Sequence, residues 1–97
     1  MVLKRLNITV KARVYRDIRG SFHLIFRVRD NPKVINKLLE FKWLVIRFAN
    51  IHCVCLVRKM VGSRTIILTI PKWRAKDMNL DKFEGQTIHV FVELGIK

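Results

Sequence analysis

Apolar and polar residues alternate along much of the chain, and this alternation predicts short β-strands. In residues 7 to 16 the apolar side chains of one face are Ile8, Val10, Ala12 and Val14. A polar turn follows, from Asp17 to Ser21, and the segment from Phe22 to Arg29 alternates again. The two segments therefore predict a β-hairpin.

A helix is predicted after this hairpin. Asn31 is expected to cap it and Pro32 to occupy its first turn, because proline presets a helical φ angle. The apolar residues that follow have helical spacing, and they are Val34, Ile35, Leu38 and Leu39. A third strand, Lys42 to Ala49, completes a β-β-α-β unit.

The same unit recurs later in the chain. An offset of 42 positions aligns identical residues without a gap: Arg16 with Arg58, Gly20-Ser21 with Gly62-Ser63, Leu38 with Leu80, Phe41 with Phe83, and Ile46 with Ile88. Chance can align alternating aliphatics, but here the Gly-Ser turn, the helix-length gap and the next strand recur in register. The second unit has predicted strands at 51–59, 64–70 and 86–94, and a helix from Pro71 to about Met78. We expect one domain, residues 1–97, made of two pseudo-symmetric repeats at about 7–49 and 50–94.

The most specific motif lies in the second unit. Ile70-Pro71-Lys72 is followed by Leu80, by Gly85 and by a strand that begins near Thr87. This arrangement resembles the SpoVT/AbrB swapped-hairpin family over about residues 51–94. It departs from the family in the longer spacer between Leu80 and Gly85, and in the first unit, where Val28-Arg29-Asp30 replaces Ile-Pro-Lys.

The resemblance implies a fold. Family members build one barrel from two identical chains that exchange hairpins, so two fused units imply the same barrel within one chain. The expected fold is mostly β with two short helices, a tandem β-β-α-β repeat that forms a single-chain swapped-hairpin AbrB-like barrel. Interleaving the units would also remove the unpaired edge of each three-stranded unit.

The large positive net charge indicates that the partner is a polyanion. Lys and Arg number 20 against 7 acidic residues, which gives a net charge of +13. Arg47 interrupts the apolar run that begins at Trp43, and no signal-peptide pattern opens the chain, so we expect no membrane association. The expected location is cytoplasmic, or nucleoid-associated for a chromatin protein.

DNA binding is the function that the resemblance implies, in a transcription regulator or a chromatin-associated protein, with duplex DNA favoured as partner. The alternatives are an RNA-binding or ribosome-associated protein, and an antitoxin-like protein-interaction module. Against the last, only Gly95, Ile96 and Lys97 follow the final predicted strand. The predicted nucleic-acid-binding residues are Lys11, Arg13, Arg16, Arg19, Arg27, Arg29, Arg47, Arg58, Lys59, Arg64, Lys72, Arg74 and Lys76.

The basic residues are shared unevenly between the two units. Residues 1–49 hold 12 basic and 3 acidic side chains, whereas residues 50–97 hold 8 and 4. We therefore hypothesise that the first unit binds phosphates, through Lys11, Arg13, Arg27, Arg29 and Arg47. The second unit has an apolar stripe instead, formed by Ile51, Cys53, Cys55 and Val57. The stripe forms either a homodimer interface on the outer face of the barrel, or part of a strand that is buried on both sides within the monomer.

Catalytic chemistry has little support in the sequence. His23, His52 and His89 are scattered, and no spacing suggests a Ser/His/Asp or paired-carboxylate arrangement. Alternation directs His52 away from Cys53 and Cys55, and no second pair of ligands completes a tetrahedral site. We expect no enzymatic activity, no cofactor and no metal.

Overall fold

The computed structural model describes residues 2–60 and 62–97. The protein is mostly β, and within those residues seven strands form one antiparallel sheet that curls into a half-barrel. The strands are β1 (Leu3–Arg16), β2 (Phe22–Phe26), β3 (Trp43–Phe48), β4 (Ile51–Leu56), β5 (Arg58–Lys59), β6 (Ile66–Ile70) and β7 (Thr87–Ile96). The helical segments of the same residues are α1 (Ile35–Leu38), α2 (Lys72–Asp77) and a 3₁₀ turn at Leu80–Phe83. None of these helices is long and apolar enough to cross a membrane.

The sheet is built around its two longest strands. Its strand order is β4-β3-β7-β1-β2-β6-β5, so β1 and β7 lie next to each other near the centre. Their register shifts between Arg5 and Ile8, where Asn7 has a φ of 49°. Such irregularities bend a strand and increase its twist, which helps the sheet to curl.

The core lies on the concave face of this sheet. Alternation places Val10, Ala12 and Val14 of β1 there, fully buried, and Leu24 and Leu68 join them from β2 and β6. Helix α1 adds two buried side chains to the same cluster, Ile35 and Leu38. Burying each large aliphatic side chain contributes about 1.5–3 kcal/mol, so this face accounts for most of the hydrophobic stabilisation.

Gly95 is required by packing. The ring of Phe41 lies directly over it, and a β-carbon at position 95 would stand 2.5 Å from Cδ1 of that ring. Any larger side chain would therefore displace Phe41, which is itself buried.

The predicted start of the first helix is wrong. Helix α1 begins at Ile35, and its N-cap, Val34, makes no side-chain hydrogen bond. Asn31 bonds to β1 instead. Its Oδ1 accepts from the backbone N–H of Lys11 at 2.8 Å, and its Nδ2 donates to the carbonyl oxygen of Lys11 at 2.9 Å. The side chain of Asn31 thus pairs with β1 and does not cap α1.

Several predicted strand ends also differ. The strand from Phe22 ends at Phe26 and not at Arg29, because the chain turns there and the Asn31 N–H donates to the Arg27 carbonyl oxygen at 3.0 Å. The predicted strand 51–59 breaks at Val57, where the chain leaves β3 and pairs with β6. Strand β6 begins at Ile66, two residues later than predicted. Both β1 and β7 are longer than predicted.

The apolar stripe of β4 faces the core. Cys53 is 6% exposed and Cys55 is 1% exposed, while Ile51 and Val57 pack against the buried cluster. The stripe is thus buried within the chain, but the strand is not buried on both sides, because His52 and Val54 on its other face are exposed. The outer-face position expected for Ile51, Cys53, Cys55 and Val57 is therefore wrong, whereas a homodimer of the chain stays a prediction.

Candidate nucleic-acid interface

Four basic side chains that are distant in sequence surround one open groove. Strands β2 and β6 are antiparallel, and Phe26 pairs with Ile66. The residues that leave β2 therefore face the residues that enter β6. We call this groove the basic cleft; its lining residues are Arg27, Val28, Arg29, Lys59, Gly62, Ser63, Arg64 and Thr65.

The cleft encloses about 590 Å³ and is held on one side by the loop between β5 and β6. The Met60 N–H donates to the Thr65 carbonyl oxygen at 3.1 Å, and the Thr65 N–H donates to Ser63 Oγ at 2.9 Å. Gly62 has a φ of 74°, a left-handed conformation that other residues resist. Arg64 donates to Asn36 Oδ1 at 3.2 Å, which ties the loop to α1. The described part of this loop, Met60 and residues 62–65, is thus fixed by its own hydrogen bonds and by the contact of Arg64 with α1.

The positive charge of the cleft is not neutralised by the protein. Among residues 2–60 and 62–97, the arginines within 4.0 Å of a carboxylate are Arg16, Arg47 and Arg74, and the imidazoles that contact a carboxylate are those of His23 and His52. None of the cleft cations is among them, and no carboxylate is found among the described residues that line the groove. Unpaired cations in a concave surface raise the local concentration of anions.

Comparison with known protein families, with curated protein sequences and with solved structures gives no match. The functional assignment therefore rests on the geometry of this surface and on the sequence motif.

A second, shallow depression adjoins the cleft. It lies on the outer face of the sheet, opposite the core. We call it the outer hollow; it encloses about 560 Å³ and is lined by Tyr15, His23, Ile25, Arg27, Arg58, Met60, Ile67 and Thr69. Arg27 lines both concavities, so they adjoin at this side chain. Tyr15 is 50% exposed and Met60 is 48% exposed, which gives the hollow an unusually apolar surface for a basic face.

A chain of hydrogen bonds fixes one wall of the hollow. The Nε2 atom of His23 lies 2.8 Å from Asp17 Oδ2, and its Nδ1 atom lies 3.0 Å from Thr69 Oγ1. Asp17 also accepts the backbone N–H groups of Arg19 and Ser21, both at 2.9 Å. The bond to His23, with these amides, lowers the pKa of Asp17 below its usual value. The imidazole is therefore held at both ring nitrogens.

Sequence reasoning missed this acid, imidazole and hydroxyl arrangement. His23 and Thr69 are 46 residues apart in sequence and meet only because β2 pairs with β6, with His23 directly opposite Thr69. No spacing within one segment indicates such a contact.

The remaining cations predicted for the first unit are dispersed. Arg13 lies opposite Ile25 on β1, and Ile25 in turn lies opposite Ile67 and is next to the outer hollow. Lys11 is exposed beside Asn31 and His89. Arg47 lies on β3, separated from β2 by two strands, so it does not share the basic cleft.

Three of the predicted cations are partly neutralised. Arg16 lies 3.6 Å from Glu84, and Arg74 lies 4.0 Å from Asp77 and stacks on the ring of Trp73. Arg47 lies over the ring of Phe91, and its Nε is 2.8 Å from Glu93 Oε1 without the alignment of a hydrogen bond. These residues are weaker candidates for phosphate contacts.

Three of the other predicted cations lie outside both concavities, whereas the fourth, Arg58, does not. Lys72 and Lys76 project from α2, and Arg19 lies in the turn between β1 and β2. Arg58 lies on β5, where it lines the outer hollow.

Cys53 and Cys55 form a contact of their own in the core. The thiol of Cys55 donates to the sulfur of Cys53 across 3.6 Å. This hydrogen bond, together with the charge of Arg74, lowers the pKa of Cys53 to about 7. The pKa of Cys55 is raised by the same bond and by burial. A cavity of about 360 Å³, lined in part by Arg74 and Trp73, reaches Cys53.

Proposed function

We propose that this protein binds nucleic acid, with duplex DNA as the favoured partner, as a transcription regulator or a chromatin-associated protein. The observation that carries the proposal is the basic cleft. Arg27 and Arg29 meet Lys59 and Arg64 there, and none of the four forms an ion pair with a residue of 2–60 or 62–97. Phosphate contacts from Lys and Arg supply most of the affinity of non-specific DNA binding.

Duplex DNA is favoured because of the resemblance to the SpoVT/AbrB family, and the pairing of the strands supports that resemblance. The proposed first unit contains β1, β2 and β3, and the second contains β4 with β5, β6 and β7. Each pairing has a counterpart in the other unit. β1 pairs with β7 as β4 pairs with β3, and β1 pairs with β2 as β5 pairs with β6.

The two remaining pairings join equivalent strands. β2 pairs with β6, and β3 pairs with β7, as expected at the axis of a pseudo-twofold. Ile25 lies opposite Ile67, its equivalent at the offset of 42, and this pair is flanked by the pairs Leu24–Leu68 and Phe26–Ile66. We propose on this basis that the chain is one domain of two interleaved repeats, in a single-chain swapped-hairpin barrel.

The unpaired charge of the cleft leads to the first prediction. A double variant, Arg29→Ala with Lys59→Ala, removes two exposed cations from opposite walls of the cleft. Binding to a fluorescently labelled duplex is expected to weaken by about tenfold, with a salt dependence reduced by about two phosphate contacts. Fluorescence anisotropy across a salt series measures both quantities.

The matched control is Lys72→Ala with Lys76→Ala, which removes the same charge from α2. This variant is expected to keep its affinity within about twofold, because it leaves the cleft intact. Equal losses in the two variants would show that only total charge matters, and would reject the cleft as the binding site.

A further inference from the structure

The outer hollow combines an aromatic surface with cations, and phosphate binding alone does not require this combination. Tyr15 and His23 are directly opposite each other on β1 and β2, with ring centroids 6.0 Å apart and planes tilted by 32°. Ile25 lies two residues along β2 from His23, and Ile67 lies opposite Ile25 on β6, so these two side chains extend the apolar surface. Together they form a platform on the convex face of the sheet.

The imidazole ring of the platform is held in one orientation. His23 is held by Asp17 on one ring nitrogen and by Thr69 on the other, so its ring cannot turn away without losing a hydrogen bond. Tyr15, which stands beside it, remains half exposed. An aromatic surface that is already ordered loses little entropy when a ligand stacks on it.

Cations stand on both sides of this platform. Arg13, Ile25, Ile67 and Arg58 form one row across β1, β2, β6 and β5. Arg27 stands at the boundary with the basic cleft. A ligand that fits this arrangement has a flat, apolar part between anionic groups, and it continues as a polyanion into the cleft.

We propose that the outer hollow holds an unpaired nucleobase of the strand whose phosphates lie in the basic cleft. This inference rests on the proposed nucleic-acid binding and adds a preference to it. A base inside an intact duplex is stacked on its neighbours and cannot reach the platform, whereas an extrahelical base stacks on aromatic side chains. The preferred target is thus DNA with a bulge or another unpaired segment.

The test compares three DNA probes of the same length and strand sequence: a blunt duplex, a duplex with a bulge of unpaired adenines, and a duplex with an abasic bulge. The abasic bulge keeps the flexible backbone and its phosphates but lacks the bases. The wild-type protein is expected to bind the adenine bulge about tenfold more tightly than either of the others.

Variants of Tyr15 assign this preference to the hollow. Tyr15→Ala is expected to abolish the preference and to leave blunt-duplex affinity nearly unchanged, while Tyr15→Phe retains it because the ring remains. Trp73→Ala is the control, since Trp73 is exposed on α2, away from the hollow. Circular dichroism of each variant verifies the fold.

The outcomes separate the inference from the function on which it rests. Three outcomes would overturn the unpaired-base site while leaving DNA binding intact. The protein could bind all three probes equally well, or it could bind the abasic bulge as tightly as the adenine bulge. The preference for the adenine bulge could also persist in Tyr15→Ala. Failure to bind every probe at low salt would overturn both. A further arm with an RNA bulge of the same sequence shows whether the sugar matters.

Discussion

Asn31 extends the sheet by one side chain. Strand β2 ends at Phe26, so the next stretch of β1 loses a neighbouring strand, and the Asn31 amide accepts from and donates to the backbone of Lys11 in its place. A further bond runs from Nδ2 to the Arg27 carbonyl oxygen at 3.2 Å. One largely buried side chain, 7% exposed, thus positions the start of the cleft relative to β1.

Asn31→Ala should therefore be costly. It leaves the N–H and the carbonyl group of Lys11 without these partners, and a buried unsatisfied polar group costs about 1–3 kcal/mol. We expect the free energy of unfolding, measured by urea denaturation, to fall by about 2 kcal/mol. Asn36→Ala is the control, because Asn36 is exposed and bonds only to the Arg64 side chain among the hydrogen bonds described. Similar losses in both variants would contradict the role given to Asn31.

The contact between the two thiols predicts a pH dependence. Because the pKa of Cys53 is lowered to about 7, its thiolate is populated at neutral pH, and its alkylation by iodoacetamide should rise across that range. Cys55→Ala removes the donated hydrogen bond, so the midpoint for Cys53 should move to higher pH. Mass spectrometry of peptides at a series of pH values follows each cysteine. An unchanged midpoint in Cys55→Ala, or faster alkylation of Cys55 than of Cys53 in the wild type, would reject this account.

At the scale of elements, the sequence predicts where most strands lie but not which residues of distant strands become neighbours. Alternation was enough to locate most strands, and Arg27, Arg29, Lys59 and Arg64 were all predicted binding residues. Their meeting in one cleft was not predicted, because it depends on Phe26 lying opposite Ile66, a contact between distant segments. The hypothesis that the first unit alone binds phosphates therefore does not describe the cleft, which is lined by cations of both units.

Strand β4 shows a second limit of periodicity. Alternation separated Cys53 and Cys55 from His52 and Val54 correctly, but it does not state which face lies inward. Val54 is apolar and exposed, so both faces of this strand carry apolar residues and the pattern is ambiguous. The proximity of α2 to β4 resolves the ambiguity in the folded chain.

The start of the first helix was predicted wrongly for a local reason. Asn31 followed by Pro32 is a common helix start, yet a polar side chain can equally serve a neighbouring strand. The side chain of Asn31 bonds to the backbone of Lys11, which has no neighbouring strand on that side. Asn31 is therefore not available as a cap, and the helix begins only at Ile35. Capping residues predict a helix start only when no other backbone competes for them.

At the scale of the whole molecule, the net charge of +13 is not spread evenly over the surface. The ion pairs formed by Asp17, Asp77, Glu84 and Glu93 lie outside the basic cleft. Asp77, Glu84 and Glu93 thus pair with arginines outside the cleft, so these three carboxylates leave its positive charge in place. An uneven field of this kind attracts a polyanion in one orientation.

The central claim is that the cleft binds the phosphates of nucleic acid, and the salt dependence of wild-type binding to a blunt duplex tests it most directly. Four phosphate contacts predict a log–log slope of about −4 between about 50 mM and about 200 mM salt. Tight binding at the lower concentration with a slope near this value is the expected result. Absence of duplex binding at about 50 mM salt, or an affinity that does not change with salt, would contradict the claim.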